Sequence, residues 1–285
     1  MGHLTRMLKL MVVFLLIWTS GLPIVFSQLN SNVDVQVFQN LVYYQGTGFD
    51  NIKHRLDIYQ PITSEPTPVL IFIHGGGWTF GDKNLYTNVG QTFARFGLTT
   101  VLVNYRLSPG VRHPSHIQDV ASAFAWVYEN IHIFSGDREN IFVMGHSAGG
   151  HLASLLALNK NYLQAEGLSN AMIDGVVAIS GVYLIEPDSN ILRSVFTSNP
   201  ALRLDASPID QFSLPAPPFL FLYAQFELPT LDFQAQTLHR LFVNSGGVSE
   251  IEEIRFRNHE SIVERIGQFN DATTNLIQQF ILRNI

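Results

Sequence analysis

Ser147 lies in Gly145-His146-Ser147-Ala148-Gly149, a G-x-S-x-G sequence. A serine hydroxyl in this setting becomes a usable nucleophile when the chain turns sharply at it. The flanking glycines let a strand and a helix approach closely, and the hydroxyl projects over the end of the sheet. The surroundings fit that requirement, because residues 140–145 (NIFVMG) read as a buried strand and Ala148–Leu158 reads as a helix. The positive end of that helix would favour the negative charge that develops when a serine attacks a carbonyl. A phosphate-cradling loop would instead want a lysine after the glycines, and His151 and Leu152 follow here. The chemistry expected of Ser147 is nucleophilic acyl transfer.

Such a serine needs a base, and the base needs an orienting carboxylate. After a serine on a strand-to-helix turn, the expected chain order is acid, then histidine. Only His151, His239 and His259 follow Ser147. His151 stands on the same helix and cannot swing round to the serine, and His239 lies late in the helical pattern of residues 232–243. His259 sits between the strand-like residues 251–256 and the helical residues 262–269, a loop at a sheet end, and is the expected base. For the acid, the loop after the apolar residues 218–223 carries Glu227. Asp232 is the alternative, although it reads better as the N-cap of the next helix; Asp205 and Asp210 have no positional argument. His74-Gly75-Gly76-Gly77-Trp78 follows another apolar strand, residues 68–74 (PVLIFIH). Consecutive glycines let backbone N–H groups converge on one point, so Gly76 and Gly77, with the N–H of Ala148, are the expected oxyanion donors.

The elements that must hold these residues alternate in type. Strand-like runs at 33–44, 52–59, 68–74, 98–105, 140–145, 173–180 and 218–223 are interleaved with helical patterns at 87–96, 115–131, 148–158 and 232–243. That rhythm predicts right-handed crossovers and a mostly parallel central sheet flanked by helices. Residues 184–214 interrupt it with Pro187, Pro200 and Pro208 among short helical fragments, and read as a small insertion or minimal cap over the active-site end. Arg106 is expected to pair with Asp119 in a structural role. Trp78, Tyr223 and Phe226 could line an acyl pocket, although aromatic residues near strand ends are more often core.

The chain has 285 residues, 46% of them apolar, and a formal charge of −6. Its length suits one catalytic domain over residues 28–285, and the negative balance without a basic run argues against a nucleic-acid partner. There is no cysteine, and no H-E-x-x-H or carboxylate–histidine cluster at ligand spacing, so neither a metal nor another cofactor is expected. Arg6 and Lys9 precede a short apolar run, which Gly21 and Pro23 break, so residues 1–27 read as a signal peptide. A secreted or otherwise extracytoplasmic protein with no membrane span after cleavage is expected, a membrane anchor being the alternative. N-terminal analysis of the native protein should find a start near Gln28; an intact Met1 would contradict this.

HGGGW at 74–78, NYRLSP at 104–109, HPSHIQD at 113–119 and GHSAGG at 145–150 together resemble the lipase and hormone-sensitive-lipase-like serine esterases of the α/β-hydrolase superfamily. The small cap is more similar to the feruloyl/acetyl-xylan esterase and kynurenine formamidase branch, and the resemblance spans residues 35 to 283. It implies the α/β-hydrolase fold. It further implies cleavage of small-acyl or aromatic-acyl esters, small-molecule or carbohydrate-linked, through an acyl-enzyme. In that branch the acid loop usually reads G-x-x-D-x-P and the histidine sits in H-x-S-I-V. Residues 224–229 and 259–263 correspond, which puts Glu227 at the acid position, with one methylene more than the usual Asp. Two other readings stay open: an arylformamidase acting on N-formylkynurenine-type amides, and a non-catalytic binding protein on the same fold.

Overall fold

A computed structural model describes residues 33–186 and 190–285; the expected signal peptide lies outside the described residues. Eight strands form one sheet: β1 (Val35–Val42), β2 (Arg55–Pro61), β3 (Thr67–Ile73), β4 (Thr99–Val103), β5 (Gly136–His146), β6 (Gly175–Ile179), β7 (Phe219–Phe226) and β8 (Ser249–Asn258). Their spatial order is β1-β2-β4-β3-β5-β6-β7-β8. The pairings of β2 with β1 and β4 are antiparallel, and every pairing from β4 through β8 is parallel. The chain therefore has the expected α/β-hydrolase fold, with only β2 running against the others.

Ten α-helices accompany the sheet among the described residues. They are α1 (Thr87–Arg95), α2 (Ser115–Asn130), α3 (Ala148–Leu158), α4 (Lys160–Ala165), α5 (Asn190–Phe196), α6 (Pro200–Ala206), α7 (Pro208–Gln211), α8 (Leu231–Asn244), α9 (Ser261–Glu264) and α10 (Ala272–Arg283). The central strands are apolar on both faces because helices cover both. On β3, Val69, Ile71 and Ile73 pack with α2, α3 and α8 through Ile117, Phe124, Leu152, Leu155, Leu238 and Phe242. Leu70 and Phe72 face the other way, toward Val89 and Phe93 of α1 and Ile277, Phe280 and Ile281 of α10. The two-residue period of a strand thus divides the apolar run between two cores.

The sheet order reverses at β3, since β3 leads through α1 to β4 on one side while β5 pairs on the other. Beyond the carboxyl ends of strands at such a point lies a crevice where ligands bind in open α/β sheets. The glycine run follows β3 and Ser147 follows β5, so both open into that crevice.

Two expectations need correction, and one element lies outside them. Residues 262–269 do not make a helix; α9 is a single turn ending at Glu264, and Gly267, with a φ of 88°, interrupts the pattern. The long closing helix α10, capped by Asp271 accepting from the Thr274 amide, was not anticipated. Asp232 is no N-cap: α8 begins at Leu231 with Thr230 as cap, and Asp232 falls in the first turn.

Residues between β6 and β7 carry α5, α6 and α7 and are anchored to the body. Asp205 of α6 accepts from His113 Nε2 at 3.0 Å, from the Tyr162 hydroxyl at 2.5 Å and from Asn159 Nδ2 at 3.0 Å. Phe196 of α5 packs edge-on against Trp78, with ring centres 4.8 Å apart. Below them, Asp119 of α2 receives the Arg106 guanidinium, with Nη2 at 2.6 Å and Nε at 2.9 Å. His54 places Nε2 3.1 Å from the same carboxylate.

Candidate active site

Ser147 is the single residue between β5 and α3, and it takes φ 55° and ψ −119°. That region is unfavourable for a side chain by about 1–3 kcal/mol, so surrounding structure must impose it. Its N–H donates to the Ile179 carbonyl on β6 at 2.8 Å, and its carbonyl accepts from the His151 amide at 3.0 Å. A Cβ on Gly145 would lie 2.1 Å from the Gly149 carbonyl oxygen, and one on Gly149 would lie 2.0 Å from the Ile73 oxygen. Neither position tolerates any residue but glycine, which is the physical content of the motif.

The structure brings Ser147, His259 and Glu227 into one hydrogen-bonded chain. His259 Nε2 lies 2.8 Å from Ser147 Oγ, and His259 Nδ1 lies 2.6 Å from Glu227 Oε1. A carboxylate can only accept, so Nδ1 carries the imidazole proton and Nε2 presents its lone pair to the serine hydroxyl. Glu227 Oε1 also accepts from the Leu228 amide at 2.8 Å. Its Oε2 accepts from Ser180 Oγ at 2.5 Å and from the Ala224 amide at 3.1 Å. Burial alone would raise this carboxyl, but the bonds from His259, Ser180 and the two amides outweigh it and hold it at about 2. Glu227 is therefore an anion at neutral pH. The side chains of Glu227 and His259 are 4% and 8% exposed, whereas Ser147 is half-buried.

The HGGGW loop lies alongside. Gly76 and Gly77 have φ of 117° and 57°, and a Cβ on Gly75 would lie 3.3 Å from Ser147 Cβ. Among the described residues, the amides of Gly76, Gly77 and Ala148 have no hydrogen-bond acceptor in the loops or caps, which leaves them available to a ligand oxygen. The loop is braced by the Ser108 amide donating to the Trp78 carbonyl at 2.8 Å and by the Tyr105 hydroxyl donating to the His74 carbonyl at 3.1 Å. This explains why NYRLSP accompanies HGGGW.

Other sequence candidates fall elsewhere. His151 is buried, accepts from Trp78 Nε1 at 3.2 Å and donates through Nε2 to the Ala206 carbonyl at 2.7 Å. It ties the nucleophile helix to the insertion. His239 contacts Ser249 Oγ at 2.9 Å, away from Ser147. Trp78 is core at 3% exposure and Tyr223 is half-buried, while Phe226, beside Glu227, is 64% exposed. A cavity of about 440 Å³ lies within the insertion, lined by Leu184, Ile185, Arg193, Arg203 and Leu204 among others, and shares no lining residue with the serine site. The chemistry is located by the Ser147–His259–Glu227 geometry, not by that cavity. Sequence reasoning missed Ser180, the residue at the end of β6 that grips Glu227; its signal was a serine closing an apolar strand next to the acid's strand.

A model of the BD-FAE family matches residues 56–226. Esterase LipC of Mycobacterium tuberculosis is 36% identical over 196 residues, covering 61% of this chain and 48% of that protein. The chain spans about half the length of the curated esterase relatives it matches, or somewhat less. Kynurenine formamidase of Danio rerio is 25% identical over 238 residues, 80% of this chain and 78% of that protein. Among solved structures, esterase B from Lactobacillus rhamnosis superposes with a TM-score of 0.76 at 24% identity, covering 88% of this chain and 86% of that one. That likeness concerns the fold.

Four imidazoles packed around the site have a consequence for stability. Burial holds His74 and His116 down to about 4, and His146 and His151 to about 3, against the usual 6.5. They stay neutral in the folded chain and become protonated once it unfolds. Their contribution is therefore intact above 6.5 and is lost progressively as pH falls toward the folded values. Urea unfolding at pH of about 7 and about 5 should show stability falling across that window, with these imidazoles together taking up close to four protons per molecule unfolded near the lower end. A stability unchanged between the two would contradict this burial.

Proposed function

The chain belongs to the BD-FAE family, and on that premise we propose that it is a carboxylic ester hydrolase working through a Ser147–His259–Glu227 triad. The observation that carries the proposal is the continuous chain of short hydrogen bonds from Glu227 through His259 to a serine on a strained strand-to-helix turn. The named esterases among its relatives agree with it.

In the first half of the reaction His259 Nε2 takes the Ser147 proton as Oγ attacks the ester carbonyl. The imidazolium so formed is stabilised by Glu227, which does not itself take the proton. The amides of Gly76, Gly77 and Ala148 receive the oxyanion, where fixed dipoles need no reorganisation. His259 then returns the proton to the departing alcohol, leaving an acyl-enzyme. Water repeats the sequence and releases the acid. Small-acyl or aromatic-acyl esters, free or carbohydrate-linked, are the substrates this reading favours. A formamide substrate is the second reading, supported by the likeness to kynurenine formamidase over most of both chains; the same triad would serve.

The test is hydrolysis of p-nitrophenyl esters from acetate to decanoate, with methyl ferulate and N-formylkynurenine alongside. Ser147→Ala should lower kcat/KM by at least about a thousandfold, and Glu227→Gln by a factor on the order of 10³–10⁴ because the imidazole loses its tautomer-fixing anion. Asp232→Asn should stay within about twofold, as expected of a half-buried helix position outside the hydrogen-bonded chain. Activity in Ser147→Ala close to wild type, or a greater loss from Asp232→Asn than from Glu227→Gln, would overturn the assignment. Turnover of the formamide alone would retain the triad and replace the substrate class.

A further inference from the structure

His146, the variable residue of G-x-S-x-G, has no part in the steps just described, yet it touches the base. Its Nε2 lies 2.7 Å from the backbone carbonyl of His259, and the two rings are 4.8 Å apart at 45°. The carbonyl can only accept, so Nε2 carries the proton and Nδ1 is left with its lone pair. Nδ1 is buried and without a partner, against the backbone of Gly75, where a Cβ would come within 2.9 Å. An apolar side chain of similar size would fill this space without leaving a buried nitrogen unsatisfied, a cost of about 1–3 kcal/mol. The histidine is 5% exposed, so solvent does not relieve that cost.

The place of His259 in the chain gives the contact its meaning. It is the only fully buried residue between Ile254 and Ile262, on a turn whose neighbours Asn258 and Glu260 are exposed. Asn258 ends β8, in register with Phe226 of β7, and with Ser261 it closes the turn on itself through amide-to-side-chain bonds of 2.9 Å and 2.8 Å; none of these contacts ties His259 to the nucleophile strand. Two attachments reach the imidazole ring, from Glu227 and from Ser147. The Ser147 bond is consumed during the reaction, because Nε2 takes the serine proton and then turns to the leaving group. The bond from His146 is to the backbone and takes no part in proton transfer. It joins the base to the residue immediately before the nucleophile, at the end of β5.

We propose that His146 is a positioning residue for the reaction: through Nε2–H it fixes the His259 backbone to the nucleophile strand, and so holds the base in register with Ser147 while their own hydrogen bond breaks and re-forms. The inference rests on the triad reading above. Displacements on the order of 1 Å at a reacting centre cost about a hundredfold in rate, so the effect should be large and confined to the chemical step.

The experiment compares wild type, Ser147→Ala, His146→Leu, His146→Asn and His146→Gln, with p-nitrophenyl acetate as substrate and Tm measured for each. Leu fills the space without a donor, the Asn amide is too short to reach, and Gln places an N–H near the position of the imidazole Nε2. His146→Leu and His146→Asn should lose about tenfold to a hundredfold in kcat, with KM within about twofold, while His146→Gln recovers to within about threefold of wild type. If Leu fails to fold, the Asn–Gln pair carries the same contrast. Equal kcat in the Asn and Gln variants, or losses that follow Tm or fall on KM, would overturn the positioning role. Loss of turnover in Ser147→Ala with unaltered turnover in His146→Leu would overturn it and leave the triad standing; equal turnover in wild type and Ser147→Ala would overturn both.

Discussion

Three strand ends and one helix converge on the backbone of Ser147, and the distances between them leave no freedom. β3 approaches α3 so closely that Gly149 lies against the Ile73 carbonyl, α3 turns back on β5 at Gly145, and β6 supplies the Ile179 carbonyl that takes the serine N–H. The positive φ at Ser147 is what this convergence imposes. A residue with a side chain adopts that conformation only when packing over-determines it, and the buried sheet with cores on both faces provides the packing. Relaxing any of these approaches would let the turn unwind and carry the hydroxyl away from His259. The HGGGW loop depends on the same convergence, since Gly75 sits against Ser147 and its neighbours offer their amides to the same space.

Polarity is graded across the site. The acid is the most enclosed and the most fully bonded, with four donors on its two oxygens. His259 is buried but stands on an exposed turn, and Ser147 is half-buried. In the proposed reaction, enclosure would strengthen the attraction between the carboxylate and the imidazolium that forms beside it, while the half-buried serine leaves a way in for substrate. The glutamate in place of the more usual aspartate is accommodated by this bonding. Ser180 and the Ala224 amide hold Oε2, so the longer side chain still aims Oε1 at His259.

Much of this was legible in the sequence because the constraints are local. The continuous apolar runs of β3, β4 and β6 marked strands buried on both faces, and the glycine spacing around Ser147 reported a turn that admits nothing larger. His259 was legible by elimination among three histidines, and Glu227 by its distance past a strand. What was not legible depends on contacts between distant segments. Ser180 matters only because β6 and β7 are neighbours, and His146 only because β5 ends beside the turn after β8. His54 has no sequence companion because Asp119 lies 65 positions away yet 3.1 Å distant. The pattern at 262–269 failed for a local reason, Gly267 with its positive φ, and α10 was overlooked because its apolar face is narrow and flanked by polar residues. Asp232 was misplaced because Thr230, with a φ of 73°, caps α8 without a side-chain bond, so the usual capping chemistry gave the wrong boundary.

The central claim is that Ser147 is a nucleophile activated by His259 and Glu227. Its most direct test is treatment of the full chain with a fluorophosphonate, followed by peptide mass spectrometry to locate the adduct. The account predicts one adduct, on Ser147 within the Gly145–Gly150 stretch, absent from Ser147→Ala. An adduct on another serine, or none on a chain that turns over esters, would contradict it.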